Sequence, residues 1–259
     1  MILGFNIGNT NTVLGIYAKD GILPEKTGQY RTQRGMSADG LCLLLREFFE
    51  SESLGAAERY PVEGIALASV VPELNPVYRQ ASEKLWSMAP LVIGAQLHLG
   101  IRITYDDPSR LGVDRIVNAV AAYNEYKRDC VIISLGTAMT FCVLHREGRY
   151  DGGIITSGAG IAIDGLSKGT SQLPRVALEP PTGLIATNTI EALKSGFYFG
   201  WISMIEGIIA RIEREYGKTF LILLTGGDAA VLSGGLSWPH LVDPHLTMKG
   251  IKYIYDLNV

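Results

Sequence analysis

Two apolar runs flank a polar turn at the start of the chain, and the same arrangement returns near its middle. Residues 2–17 read ILGFNIGNTNTVLGIY, with Ile2, Leu3 and Phe5 before the polar stretch and Val13, Leu14 and Ile16 after it. This pattern predicts two strands joined by a tight turn. A plain reversal needs only a dipeptide such as Asn-Gly, whereas Gly8 is surrounded by amide and hydroxyl side chains. Residues 130–145, CVIISLGTAMTFCVLH, repeat the design. Ser134 falls at Asn6, Gly136 at Gly8 and Thr140 at Thr12, each 128 positions on, and a charged turn follows each copy (AKDG at 18–21, REGR at 146–149). The period is far too long for a solenoid. It predicts a duplicated α/β protein in which each half opens with a hairpin and the two turns face one cleft.

The segments between fit that plan. Ser37 is a candidate cap for a helix carrying Leu41, Leu44, Leu45 and Phe48 on one face. GIALASVV (64–71), stopped by Pro72, reads as a short buried strand. Ile116, Val120 and Tyr123 mark a helix that leads into the second hairpin. Asn188 and Glu191 have capping-box spacing before a long helix ending near Gly217, and FLILLTGGD (220–228) reads as a strand entering a Gly-Gly turn. The expected division is 1–118 and 119–259.

Charge and composition exclude several classes. A formal net charge of −3 over 259 residues gives no field that would draw the chain onto nucleic acid or an anionic membrane. Cys42, Cys130 and Cys142 lack C-x-x-C spacing, so buried reduced thiols are expected instead of a zinc site or disulfides. The longest apolar stretch, from Ser195, is interrupted by Glu206 and ends in RIEREYG, so it is not read as a membrane span. The first residues enter a strand-like run without a basic leader, and a cytoplasmic protein is expected. The four histidines are scattered without ligand spacing and are assigned no chemistry. Trp86, Trp201 and Trp238 are read as packing residues.

Gly-centred turns expose backbone N–H groups, and Thr and Asn side chains add donors, a combination that binds phosphate oxygens. Two equivalent turns, with the Gly-Gly pair at 226–227, form a stronger constellation than one; the SGAG loop at 157–160 is read either as a second donor cluster or as a tight connection. The chain has no G-x-x-x-x-G-K-[ST] run, so it is not a P-loop protein.

Eight ordered segments carry a resemblance: NIGNTNT (6–12), ASVVPELN (68–75), YDDPSRLGVDRIVNA (105–119), SLGTAMTF (134–141), GGIITSGAGIAIDGLSKGTSQLPRV (152–176), NTIEAL (188–193), TGGDA (225–229) and VDPHLTMKGI (242–251). Through them the chain resembles the type III pantothenate kinases, within the acetate kinase, sugar kinase, heat-shock protein and actin superfamily. The resemblance implies two duplicated ribonuclease H-like (actin-like ATPase) domains, and a reaction in which ATP phosphorylates pantothenate, the first step of coenzyme A biosynthesis. It also implies a homodimer that builds the substrate site at the subunit interface. Asp114 takes the place of the catalytic base; the alternative for an acid there is a helix N-terminal role. Tyr105, Gly112, Val113, Arg115 and Thr189 match pantothenate contacts. Asn6, Ile7, Gly8, Asn9, Thr10, Asn11, Thr12, Val13 and Thr137 match nucleotide contacts.

One departure stands out. The family pattern has Asp at both turns, where this chain has Asn6 and Ser134. The first acid helps to hold Mg²⁺ and the second a monovalent cation, K⁺ or NH4⁺. Two unit charges about 4 Å apart interact by roughly 4 kcal/mol at an effective dielectric of about 20. Full expression of that in the transition state would cost about three decades in rate. Three readings stay open: a working kinase with another acid, Asp164 or Asp228, supplying charge; a catalytically weak or inactive binding or regulatory homologue; and a kinase for a different hydroxylated acid. Retention of GVDR, YDDP and NT argues against the third.

Overall fold

The computed structural model describes residues 1–52 and 54–259. They form two compact units, one comprising Met1–Glu125 with His245–Val259 and the other Tyr126–Pro244.

In the first unit, β1 (Ile2–Ile7), β2 (Asn11–Tyr17) and β3 (Lys26–Arg31) make an antiparallel meander. Next come α1 (Ala38–Ser51), β4 (Gly64–Ser69), α2 (Asn75–Trp86) and β5 (Leu91–Val92). The short β6 (Arg102–Ile103) and α3 (Val113–Tyr126) follow. β4 lies parallel to β1, Ile2 opposite Gly64 and Ile7 opposite Ser69, and the sheet order is β3-β2-β1-β4-β5. The central strands β1 and β4 are almost wholly buried, as expected for a sheet covered on both faces, whereas the edge strand β3 alternates between half-buried and exposed positions. Leu3, Phe5, Ile7, Leu14 and Ile16 pack with Leu41, Leu45 and Phe49 of α1 and with Tyr78, Ala81 and Leu85 of α2. The Ser37 side chain accepts from the Gly40 N–H as its cap role requires. The buried stripe of α1 is rotated slightly from the expected one: Cys42 and Phe49 are buried, and Leu44 and Phe48 only half-buried.

The second unit repeats the topology. β7 (Cys130–Leu135), β8 (Ala138–Leu144) and β9 (Arg149–Ser157) form the meander. Then come α4 (Ala159–Gly169), α5 (Thr189–Tyr216), β10 (Leu221–Thr225), α6 (Ala229–Ser233) and β11 (His240–Val242). β10 lies parallel to β7, and the strands run β11-β10-β7-β8-β9. Both ends of β7, Cys130 and Leu135, lie 128 positions after the ends of β1, Ile2 and Ile7. The repeat read from the sequence is therefore a repeat of structure. Along α5, Ser195, Tyr198, Ile202, Ile205, Ile209 and Ile212 form one buried stripe. Asn188 Oδ1 accepts from the Glu191 N–H at 3.0 Å, which is half of the expected capping box. The Glu191 carboxylate turns instead to Thr182, accepting from its N–H and hydroxyl at 3.1 Å each. Gly217, at φ 64°, ends the helix with its N–H on the Glu213 carbonyl.

The expected division at 118/119 would cut α3 in half. All but the last residue of α3 belongs to the first unit, and the chain returns there as α7 (Leu246–Asn258). Glycines explain the return. A Cβ on Gly4 would lie 3.1 Å from Ile251 Cγ2, one on Gly15 2.7 Å from Met248 Cε, and one on Gly64 1.7 Å from the Tyr255 hydroxyl. The sheet is thus bare where α7 lies on it. Lys252 of α7 is 1% exposed, and its ammonium donates to the Asp256 carboxylate and the Lys19 carbonyl. No helix among the described residues is long and apolar enough to cross a membrane. All three cysteines are free and buried.

The contact of α7 with α3 is closest at Gly250, where a Cβ would sit 1.9 Å from the Val117 carbonyl oxygen. Backbone cannot swing aside as a side chain can. Gly250→Ala is expected to destabilise the protein by about 1–3 kcal/mol in denaturant unfolding. Gly165→Ala, placed on α4 with nothing within 4 Å, is expected to be neutral or to stabilise by up to about 1 kcal/mol. Equal unfolding midpoints for the Gly250 variant and the parent would refute this packing.

Candidate nucleotide and substrate site

In the first unit, the turn between β1 and β2 is closed by the Gly8 N–H donating to the Asn11 carbonyl at 3.0 Å. That amide therefore serves the turn itself. The end of β3, brought alongside by the pairing of Arg31 with Asn11, braces the turn from one side. The Thr32 hydroxyl donates to the Gly8 carbonyl at 2.7 Å, and the Thr32 N–H donates to the Thr10 carbonyl at 2.9 Å. With its proton so used, Thr32 Oγ1 accepts from the Thr12 hydroxyl 2.9 Å away. Arg34 donates from Nη2 to Asn9 Oδ1 at 3.1 Å and from Nη1 to Glu73 Oε1 at 2.7 Å.

These bonds sort the residues matched to the nucleotide. Asn9, Thr10 and Asn11 are exposed; Asn6, Gly8 and Val13 are half-buried; Ile7 and Thr12 are buried. Ile7 and Thr12 hold the turn's shape, and the donors offered outward come from Asn9, Thr10 and Asn11. Asn6 sits in mid-sheet, opposite Val13 and Ala68, and brings an amide without charge.

The substrate-matched residues of the same unit gather where α3 begins. The Gly112 carbonyl accepts from the Arg115 and Ile116 N–H groups, starting the helix. A Cβ on Gly112 would stand 2.6 Å from Asp114 Oδ1, so glycine leaves this carboxylate its room. Burial pushes the Asp114 carboxyl above the ordinary carboxylate range, against the opposing pull of the Arg115 N–H and guanidinium. Asp114 is thus both a helix N-terminal acid and a carboxylate with raised proton affinity. Arg115 is 4% exposed, its guanidinium carbon 5.6 Å from the centre of the Tyr105 ring. Val113 is buried.

In the second unit, three glycine turns abut. The Gly136 N–H donates to the Ala138 carbonyl, and the Gly158 N–H donates to the Thr137 carbonyl at 3.0 Å. A Cβ on Gly158 would be 1.9 Å from the Gly136 oxygen. Gly226, at φ 96°, lies against Leu135, whose carbonyl accepts from the Asp228 N–H. The SGAG loop and the Gly-Gly turn therefore meet the second hairpin turn. Gly158 caps α4, whose first N–H groups have no partner within the helix. Thr137 is exposed, and Ser134 is half-buried between Thr140 and Thr225. Thr189 opens α5 and is exposed, lining a shallow hollow with Leu173, Thr187 and Leu193.

The two acids weighed as replacements differ. Asp164 is held by Arg175 at 2.6 Å. Asp228 is half-buried, burial raises its carboxyl pKa, and among the described residues it makes no ion pair.

His145 was assigned no chemistry, yet it is 2% exposed with Nε2 2.7 Å from Asp151 and Nδ1 3.4 Å from Asp129. Asp129, His145 and Glu147 have ligand atoms close enough for a metal ion. Lys218 already places its ammonium 2.9 Å from Asp129 and 3.1 Å from Nδ1, filling the position with a resident cation. Thr32 and Arg34 escaped the sequence reading for a different reason. They lie outside every motif, and only the β2–β3 pairing brings them to the turn.

A family model for type III pantothenate kinase matches residues 2–211. A type III pantothenate kinase of Koribacter versatilis is 35% identical over 269 residues, spanning 100% of this chain and 96% of its own length. One from Brevibacillus brevis is 36% identical over 258 residues, with 100% and 99% covered. A ROK family glucokinase from Streptomyces griseus, solved with glucose and AMPPNP, is similar in fold at TM-score 0.52 and 14% identity, with 99% of this chain and 98% of that one covered. The fold is accordingly the duplicated ribonuclease H-like α/β fold of the actin-like kinases and ATPases. With each unit repeating one topology and the relatives matching end to end, this chain belongs to the type III pantothenate kinase family.

Proposed function

We propose that this chain is a phosphotransferase that uses ATP to phosphorylate pantothenate in the cytoplasm, the first step towards coenzyme A, and that Asn6 and Ser134 slow it. The observation that carries this reading is the gathering of Tyr105, Gly112, Asp114 and Arg115 at the start of α3. An alcohol is a weak nucleophile at neutral pH, so phosphoryl transfer gains from a positioned base. Asp114 takes that role, its raised proton affinity suiting proton acceptance. Arg115, with Tyr105, offers a cation to the substrate carboxylate. Asn9, Thr10, Asn11 and Thr137 offer donors to the phosphates, with Thr189 a further substrate contact.

Bound Mg²⁺ would supply positive charge at the transferring phosphate. Asn6 fits it as a neutral oxygen that orients a metal-bound water, a weaker anchor than a carboxylate. Asp228 stands three residues beyond Thr225, the strand partner of Ser134, and is the carboxylate open to a monovalent cation. The second reading, a binding or regulatory homologue with little turnover, is favoured by the neutral turns and by the engagement of Asp164 with Arg175.

Asp114→Asn is expected to abolish ADP release in a coupled assay with pantothenate; survival of the rate would disqualify Asp114 as the base. In the parent, kcat/KM should climb with pH through a carboxyl pKa above the usual value of about 4. The same substitution should raise the thermal midpoint at neutral pH. The folded-state pKa exceeds the unfolded one, so ionising Asp114 opposes folding; the benefit of Asn shrinks as pH falls through the raised folded-state pKa and is gone by about pH 4, the unfolded value.

Replacing Asn6 and Ser134 together by Asp is expected to raise pantothenate phosphorylation by about tenfold or more. An unchanged rate, in a parent already fast, would remove the impaired reading.

We infer that the working form is a homodimer. In the second unit, Ile155, Ile161, Leu184, Ile185 and Ile190 expose half or more of their surface, on β9, α4, α5 and the stretch before α5. A second copy of this chain is the cover proposed for them. Sedimentation of the purified chain as a monomer under assay conditions would overturn this.

A further inference from the structure

We infer that Arg34 is a polyphosphate-binding cation of the first turn, acting beside the exposed donors Asn9, Thr10 and Asn11; this rests on the nucleotide reading above. Arg34 lies between β3 and α1, outside the segments that carry the family resemblance. Its side chain is 65% exposed. A guanidinium carries five N–H donors, and its bonds to Asn9 and Glu73 use two of them.

Two features separate this arrangement from an ordinary surface ion pair, which contributes little. First, Arg34 is tied to the turn itself. Because Asn9 Oδ1 accepts from Nη2, the Asn9 amide is fixed with its NH2 group as the outward donor, the orientation that suits an anionic ligand. Second, the turn is neutral. With Asn at position 6, a phosphate approaching this corner meets a guanidinium without an acid of the turn to oppose it, so attraction does not depend wholly on a metal. Glu73, 47% exposed in its side chain, holds the guanidinium in place and screens part of its charge.

The experiment is calorimetric titration of ATP into the full chain, in EDTA and again with Mg²⁺, for the parent, Arg34→Gln and Glu73→Gln. Arg34→Gln is expected to weaken binding about tenfold in EDTA, as loss of a charged hydrogen bond does, and to flatten its salt dependence. Glu73→Gln, which keeps the cation and removes its counter-charge, should bind at least as tightly as the parent. Equal weakening in both variants would mean that the Asn9–Arg34–Glu73 chain only shapes the turn, and would overturn the inference. So would an Arg34→Gln variant that binds as the parent does. A parent that binds no ATP would overturn the nucleotide reading itself, an outcome distinct from a binding parent with an indifferent Arg34→Gln.

Discussion

Close approach at glycines, of side chains to the sheet at Gly4, Gly15 and Gly64 and of backbone to backbone at Gly250, Gly158 and Gly226, is the constraint on which both units depend. In the first unit it seats α7: Gly4, Gly15 and Gly64 clear the sheet, and Gly250 meets the Val117 carbonyl directly. In the second it draws three turns together, Gly158 against the oxygens of Gly136 and Thr137, and Gly226 against Leu135. The consequences differ. The first is a packing device that fixes where the chain ends. The second leaves peptide groups, instead of side chains, as the lining of a turn cluster, the kind of surface that accepts phosphate oxygens.

Charge is distributed with the same economy. The hairpin turns are neutral at Asn6 and Ser134, while ionised groups stand beside them or beneath the fold. Arg34 flanks the first turn, Asp228 the second, and Asp114 is half-buried at the start of α3. At the start of β7, the end of the strand opposite the turn at 136, Lys218 satisfies Asp129 and His145. That lysine explains why a triad with ligand spacing need not be a metal centre: an ammonium already supplies the positive charge that its carboxylate attracts.

Much of the fold was legible because its signals are local. The apolar runs on either side of each polar, Gly-centred turn located β1, β2, β7 and β8, and the 128-residue spacing of Gly8 and Gly136 predicted the duplicated topology. Ser37, Asn188 and Gly217 marked helix ends through their own side chains or lack of one. What escaped depends on pairing across long separations. Nothing in VDPHLTMKGI says that Met248 and Ile251 belong beside Gly15 and Gly4, so the expected division at 118/119 does not anticipate that residues 245–259 pack with the first unit. Thr32 and Arg34 reach the first turn only because β3 pairs with β2. The burial of Ile7 and Thr12 was hidden for the same reason: a motif names residues without saying which of them face inward.

Binding and chemistry make different demands on such a site, and this chain separates them. Holding a polyphosphate takes donors and positive charge at fixed positions, the part proposed here for the braced turn with Asn9, Thr10 and Arg34. Moving a phosphoryl group also takes a base and charge that strengthens as the transition state forms. Asp114, the proposed base, has its carboxylate given room by Gly112 and its proton affinity raised by burial. To the second, Asn6 and Ser134 bring no charge, which is the ground of the slowed turnover proposed above. A neutral oxygen can still position a hydrated cation, but it draws that cation less firmly, and the deficit falls on the step where charge matters most. On the proposed reading, Asn6 and Ser134 would weigh on turnover more than on affinity, and the donors around them would persist unchanged.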